Sequence, residues 1–242
     1  MIQTGFPDLF MAVPHGGIMK ITKKPEGLAQ VSVYVESVSA EYARGLEVLH
    51  ELGPTVTVFG SARTKPGERA YTDALNLGRL LASQGITIVT GGGGGIMEAA
   101  NRGAVLGGGH SIGMPIVLPF EENPNPFISK SVMFDHFPAR KTCLIQACDA
   151  VVVFVGGFGT LDELFEVLTL IQTGKIDEVP VILIGSHYWS GLMQWLATDV
   201  VEAGCISERD LHLVDIVDTP TRAVEILHAR LGISRQSAAV AS

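Results

Sequence analysis

Apolar residues recur along the chain in two alternating rhythms. Near-continuous runs dominated by Val and Ile fall at Thr55–Phe59, Ile86–Thr90, Ser111–Leu118, Ala150–Val155 and Val181–Ile184, with a weaker one at Leu213–Val217. The intervals carry apolar positions at helical spacing: Tyr71–Ser83, Gly95–Ala104, Arg140–Ala147, Leu161–Thr173, Trp189–Ala203 and Thr221–Leu231. A further helix is expected before the first strand, from about Ser37 to Leu52, with Tyr42, Leu46, Val48 and Leu49 as its apolar members. Strands that are apolar on both faces and separated by helices predict a Rossmann-like, doubly wound parallel sheet in three α/β/α layers. The expected organisation is an N-terminal arm over residues 1–30, one α/β domain over 31–233 and a disordered, small and polar tail over 234–242.

Glycines fall where this scheme ends its strands. Gly60 closes the first strand, Gly91 to Gly95 the second and Gly156 to Gly159 the fourth. With the sheet order 3-2-1-4-5, these three loops meet at the carboxyl edge, where doubly wound sheets bind ligands. The third loop is the most telling. Val155-Gly156-Gly157-Phe158-Gly159-Thr160-Leu161-Asp162-Glu163 joins an apolar strand to a helical pattern through Leu164, Leu168 and Ile171. A strand, a glycine loop and a helix start form an anion cradle, because backbone N–H groups and the helix dipole converge on the same point. Glu163 adds a carboxylate beside it, which a bare phosphate grip does not require. No window reads GxGxxG, since Ile96 and Asp162 stand where the third glycine would be, and none reads GxxxxGK[ST]. A mononucleotide-sized ligand fits better than a dinucleotide, and the 31–233 unit is expected to bind nucleotides.

Composition narrows the partners. The chain has 242 residues, 47% of them hydrophobic, enough to bury one sizeable core. A net charge of −8 and a pI near 5.3 argue against a nucleic-acid partner, which needs a basic face, and none is expected. A local nest of amides can still hold a small phosphorylated ligand in an acidic protein. No apolar run approaches the roughly 18 residues of a membrane span, and the N-terminus lacks the pattern of a signal peptide. Cys143, Cys148 and Cys205 form no CxxC pair, so reduced thiols in the cytoplasm and no metal site are expected.

Four motifs resemble one family. Gly156 to Glu163 is similar to the PGGxGTxxE signature of the Lonely Guy type phosphoribohydrolases, also described as possible lysine decarboxylases. Arg140-Lys141, after Phe134-Asp135-His136-Phe137-Pro138-Ala139, resembles the family's Arg-Lys pair. Thr90 to Ala104 resembles its second glycine block, and Val58-Phe59-Gly60-Ser61-Ala62-Arg63 its first loop. The likeness runs from about Thr55 to Ile184. It implies cleavage of the N-glycosidic bond of a nucleoside 5′-monophosphate, either AMP or an N6-substituted AMP, to free base and ribose 5-phosphate. It also implies a homodimer or larger assembly. One departure is Val155, where the family has proline; valine merely extends the strand.

The residues support several roles beside that resemblance. A carboxylate at Glu163 can bind ribose hydroxyls, stabilise an oxocarbenium-like state or orient water; it can also simply complement the helix dipole. Arg140 can clamp phosphate or stabilise charge on a leaving base, and two cations just ahead of a helix ask for an anion nearby. Arg140 and Glu163 are therefore the expected catalytic pair. Gly60, Ser61, Gly92, Gly93, Met97, Glu98, Lys141, Gly156, Gly157, Gly159 and Thr160 are the expected substrate-binding set. Within it Met97 is a packing residue or a thioether under the base, and Glu98 a capping acid or a ribose contact. Ser61 and Arg63 either meet the ligand or make a turn. His136 reads as structural. The stretch Pro119-Phe120-Glu121-Glu122-Asn123-Pro124-Asn125-Pro126 is a lid or a long surface loop. Three function classes follow: a nucleotide hydrolase, a non-catalytic nucleotide-binding or carrier protein, and a lysine decarboxylase. The last needs a pyridoxal phosphate lysine, and neither Lys141 nor Lys175 stands in such a motif. No cofactor is expected.

Overall fold

A computed structural model describes residues 27–50, 52–118 and 123–231. Seven parallel strands form one sheet: β1 (Thr55–Phe59), β2 (Thr87–Thr90), β3 (Ser111–Gly113), β4 (Lys130–Ser131), β5 (Ala150–Val153), β6 (Val181–Ile184) and β7 (Val214–Val217). Their order is β4-β3-β2-β1-β5-β6-β7. The centre of the sheet is the anticipated 3-2-1-4-5 arrangement, extended by one strand at each edge. The helices are α1 (Leu28–His50), α2 (Arg69–Ala82), α3 (Ile96–Leu106), α4 (Phe137–Gln146), α5 (Phe158–Gln172), α6 (Ser186–Trp195) and α7 (Pro220–Leu231).

Strand side chains alternate between two cores. Val56, Val58, Ile88, Val152 and Ile182 face a cluster built with α2, α3 and α7. Val89, Val151, Val153, Val181 and Leu183 face the opposite cluster, built with α4, α5 and Trp189 of α6 and flanked by Val38, Tyr42, Val48 and Leu49 of α1. All residues of β1, β2, β5 and β6 are buried. That is why these strands read as near-continuous apolar runs.

Departures from expectation have local causes. The third strand stops at Gly113 because Pro115 has no N–H to continue the ladder; a single bridge between Ile116 and Phe134 follows. β4 pairs with β3 but is two exposed residues long, too short and polar to show in the apolar pattern. α1 begins at Leu28, nine residues before Ser37, through a segment whose Val31, Val33 and Val35 are helical and exposed. The rest of the expected arm (residues 1–26), the tail and Pro119–Glu122 of the proline-rich stretch lie outside the described residues. α4 begins at Phe137, ahead of Arg140, because His136 is an extended N-cap and Pro138 is tolerated in a first helical turn. α5 begins at Phe158 on Gly157 as N-cap. Past α6 the helix continues through a π-turn, Leu196–Val200.

α2 and α3 pack back to back on the first core. A Cβ on Gly103 would sit 2.1 Å from the Leu75 carbonyl oxygen. Helix propensity alone makes Gly103→Ala stabilising by roughly 1 kcal/mol, whereas overpacking against a backbone atom costs about 1–3 kcal/mol. The contact is to backbone, so packing wins. Gly103→Ala is expected to lower stability by a net ~1–2 kcal/mol, read as a reduced urea midpoint at unchanged m.

Candidate active site

The carboxyl ends of β2, β1 and β5 bring the three glycine loops together over a cleft of about 830 Å³. Backbone bonds stitch the loops to one another. Ser61 N–H donates to the Val155 carbonyl at 2.9 Å, and Ile96 N–H to the Ser61 carbonyl at 3.0 Å. The second of these bonds requires a glycine beside it: Gly95 has φ +63°, and a Cβ there would lie 2.3 Å from the Ser61 oxygen.

Below the second loop lies a buried amide network. Asn101, fully buried in α3, accepts from Thr90 Oγ1 at 2.7 Å and from Asn125 Nδ2 at 2.9 Å, and donates to Ser111 Oγ at 2.8 Å. Asn125 also donates through its backbone N–H to the Gly92 carbonyl and through Nδ2 to the Gly93 carbonyl. Gly92 N–H is itself bonded to Thr90 Oγ1 at 2.9 Å. The second loop is thus held by internal bonds. The third loop is different: α5 has neither a side-chain cap nor an acid in its first turn, where N–H groups lack intrahelical partners. Gly157, Phe158, Gly159 and Thr160 line the cleft there. That end of α5 can receive an anion.

On the cleft floor two charged side chains face each other. Arg140 is 7% exposed. Its Nε donates to the Met114 carbonyl at 2.7 Å and its Nη2 to the Gly91 carbonyl at 3.2 Å. Its Nη1 lies 3.9 Å from Glu163 Oε1, an ion pair too long for a hydrogen bond. A Cβ on Gly91 would fall 2.1 Å from Nη2, so the guanidinium uses the space a side chain would fill. Glu163 is the sixth residue of α5, in its second turn, so it does not cap the helix. Burial raises its pKa from 4.5 to about 7; the Arg140 charge pulls the other way but does not prevail. Lys141 lies 2.8 Å from Glu166 and 3.1 Å from Asp162. Burial lowers its pKa, yet bonds to these two carboxylates win and the net shift is upward. Lys141 therefore clips α4 to α5 at the cleft edge.

The cleft lining brings together Gly60, Ser61, Arg63, Gly92, Gly93, Met97, Arg140, Lys141, Gly157, Gly159, Thr160 and Glu163. It does not include Glu98, whose carboxylate accepts a hydrogen bond from the buried Tyr71 hydroxyl at 2.7 Å, nor Gly156. The Gly156 carbonyl accepts from the Tyr188 hydroxyl, and a Cβ on it would collide with Thr160 Oγ1. His136 is buried and paired with Glu41. Burial pushes the Cys143 thiol up to about 11 and Cys148 to about 12, the mark of inert thiols. Among the described residues no group of three or more His, Cys, Asp or Glu could hold a metal ion, and no helix is long and apolar enough to cross a membrane.

The family model described as possible lysine decarboxylase matches residues 97–227, which include Arg140, Lys141 and the third glycine loop. The chain belongs to the Lonely Guy family. It is 33% identical over 170 residues to a cytokinin riboside 5′-monophosphate phosphoribohydrolase of Arabidopsis thaliana, covering 69% of this chain and 77% of that one. It is 31% identical over 166 residues to the enzyme of the same name from Mycobacterium tuberculosis (strain ATCC 25618 / H37Rv), covering 68% of this chain and 88% of the relative. Among solved structures it is similar to a molybdenum cofactor binding protein from the phototrophic bacterium Rippkaea orientalis. That match has 25% identity and a TM-score of 0.58, and covers 75% of this chain and 99% of the other.

Sequence reasoning missed the parts that seat Arg140 in this Lonely Guy site. They are backbone carbonyls, which carry no residue-type signal. Asn101 and Asn125 were also missed, although a lone Asn among Ile96, Ala99, Ala100 and Ala104 is a polar residue on an apolar face and needs partners.

The raised Glu163 pKa has a consequence for stability. Between 4.5 and about 7 the folded chain holds a proton that the unfolded chain has lost, so stability falls as pH rises through that window and the loss is complete above it. Glu163→Gln mimics the protonated form. It is expected to stabilise the fold at pH 8 by on the order of 3 kcal/mol and to have little effect at pH 4. Melting temperatures of both proteins at the two pH values measure this; equal shifts at both would show that burial of the charge is not the cause.

Proposed function

We propose that the chain hydrolyses the N-glycosidic bond of a nucleoside 5′-monophosphate, either AMP or an N6-substituted AMP such as a cytokinin riboside monophosphate. The products are free base and ribose 5-phosphate. The observation that carries this reading is the Arg140–Glu163 pair: a desolvated carboxylate and a buried guanidinium 3.9 Å apart on the floor of the cleft. A site that only gripped phosphate would not need the carboxylate. The names of the two enzyme relatives support the same reaction.

Each residue has a role in it. The first-turn N–H groups of α5, with Gly157, Gly159 and Thr160, hold the 5′-phosphate. Gly60, Ser61, Gly92, Gly93 and Met97 line the rest of the cleft, where the nucleoside lies. As the C1′–N bond breaks, positive charge grows on the ribose and negative charge on the base. Ionised Glu163 stabilises the former and orients the water whose oxygen bonds to C1′. Arg140 faces the developing negative charge with a fixed, permanently charged fork. The water proton ends on Glu163 or on the departing base, so the step balances as hydrolysis. Lys141 sets the spacing of α4 and α5. The active species is taken as a cytoplasmic homodimer or larger homo-oligomer; exposed Leu28, Val33, Val35 and Phe158 are apolar surface that a second copy would cover.

The similarity to a molybdenum cofactor binding protein favours a second reading, a carrier on the same scaffold. A carrier has no use for a desolvated carboxylate opposite Arg140. A panel of nucleoside monophosphates assayed for ribose 5-phosphate separates the two. Hydrolysis is expected with AMP or its N6-substituted forms; tight binding without base release identifies the carrier. In the same assay Glu163→Gln should retain AMP binding while base release falls at least ~10-fold. Equal turnover by the two proteins would remove Glu163 from the chemistry.

A further inference from the structure

Glu41 is the anomaly of α1. It is 3% exposed, in a helix whose other fully buried residue is Gly45, and it precedes the stretch that the family model matches. A carboxylate so placed needs partners, and all of those observed lie at the start of α4. Oε2 accepts the backbone N–H groups of Asp135 and His136, each at 3.1 Å. Oε1 lies 2.8 Å from His136 Nδ1. His136 is the N-cap of α4 but its own side chain does not cap the helix. The acid from α1 stands at that helix end instead, where the dipole favours negative charge.

The link to the cleft is one bond long. The His136 carbonyl accepts the N–H of Arg140 at 3.2 Å. The α1–α4 contact is tight at the next turn as well: a Cβ on Gly45 would lie 2.4 Å from Cys143 Sγ. Tyr34 closes the other side of His136 with an edge-on ring contact at 5.0 Å. We propose that Glu41 is a positioning residue for Arg140. Its carboxylate fixes the first turn of α4 so that the guanidinium reaches the Gly91 and Met114 carbonyls and stands opposite Glu163. A shift of that turn by about an ångström would break those bonds, and displacements of this size cost up to ~100-fold in rate.

The turnover arm of the test rests on the hydrolase reading; a second arm does not. Base release from AMP is measured for wild type, Glu41→Ala, Arg140→Ala and the double variant. Glu41→Ala should lower kcat at least ~10-fold with KM within about threefold. Glu41→Gln, which can still accept the backbone N–H groups, should recover most of the loss. In the Arg140→Ala background Glu41→Ala should cause no further fall, because both changes act through one group. Losses that multiply, or unchanged kcat in a folded Glu41→Ala, overturn the proposal. If the alanine variant does not fold, Glu41→Asp carries the same cycle.

The second arm follows the Glu163 carboxyl by ¹³C NMR titration. Glu41→Ala should raise its pKa toward that of Arg140→Ala, since a displaced guanidinium no longer favours the carboxylate, while Lys141, Asp162 and Glu166 remain in place. An unchanged titration in folded Glu41→Ala overturns the proposal. Failure of wild type to release base from any monophosphate sinks the hydrolase reading alone.

Discussion

The seating of one buried guanidinium organises the cleft. Two carbonyls, one on the second glycine loop and one just past β3, take two corners of the Arg140 fork and aim a third at Glu163. At 3.9 Å the pair is neither bonded nor independent. A bidentate contact would have held the carboxylate ionised and well below neutrality. At this distance burial wins, and the carboxyl titrates near pH 7. The arrangement therefore keeps an acid poised between its two forms, at a cost in stability that a purely structural pair would avoid.

The remainder of the fold serves that geometry. β2, β1 and β5 lie side by side and run parallel, so their loops end at one edge. The bonds from Ser61 to Val155 and from Ile96 to Ser61 make the three loops one unit. The Asn101–Asn125 network keeps the second loop closed on itself, whereas the bare start of α5 can receive an anion. α1, outside the doubly wound core, reaches in through Glu41 and grips the turn from which Arg140 hangs.

Much of this was legible in the sequence because it rests on residue type and period. The parallel sheet follows from Val/Ile runs between helical patterns, its central order was assumed from the doubly wound scheme and matches the observed one, and the glycines mark the strand exits. The third loop announces an anion cradle. What was not legible depends on backbone or on long-range contact. The carbonyls of Gly91 and Met114 have no side-chain signature. Glu98 sits one turn into α3, as a ligand contact would, yet Tyr71 from α2 takes its carboxylate, a contact 27 residues away in the chain. α4 was read as starting at Arg140 because Phe137-Pro138 looks like loop, whereas proline is at home in the first turn. Glu41 was readable in principle: a charge between Val38 and Gly45, on the stripe that α1 turns toward the core, is a group that must be paid for by partners elsewhere.

The pH dependence of kcat/KM for AMP tests the central claim most directly, because it reports the ionisation of the free protein's essential groups. If ionised Glu163 assists departure of the base, the rate constant rises with pH and levels off above about 7, and Arg140→Ala moves the inflection upward. A profile that is flat, or that falls through the same window, would contradict a carboxylate role for Glu163.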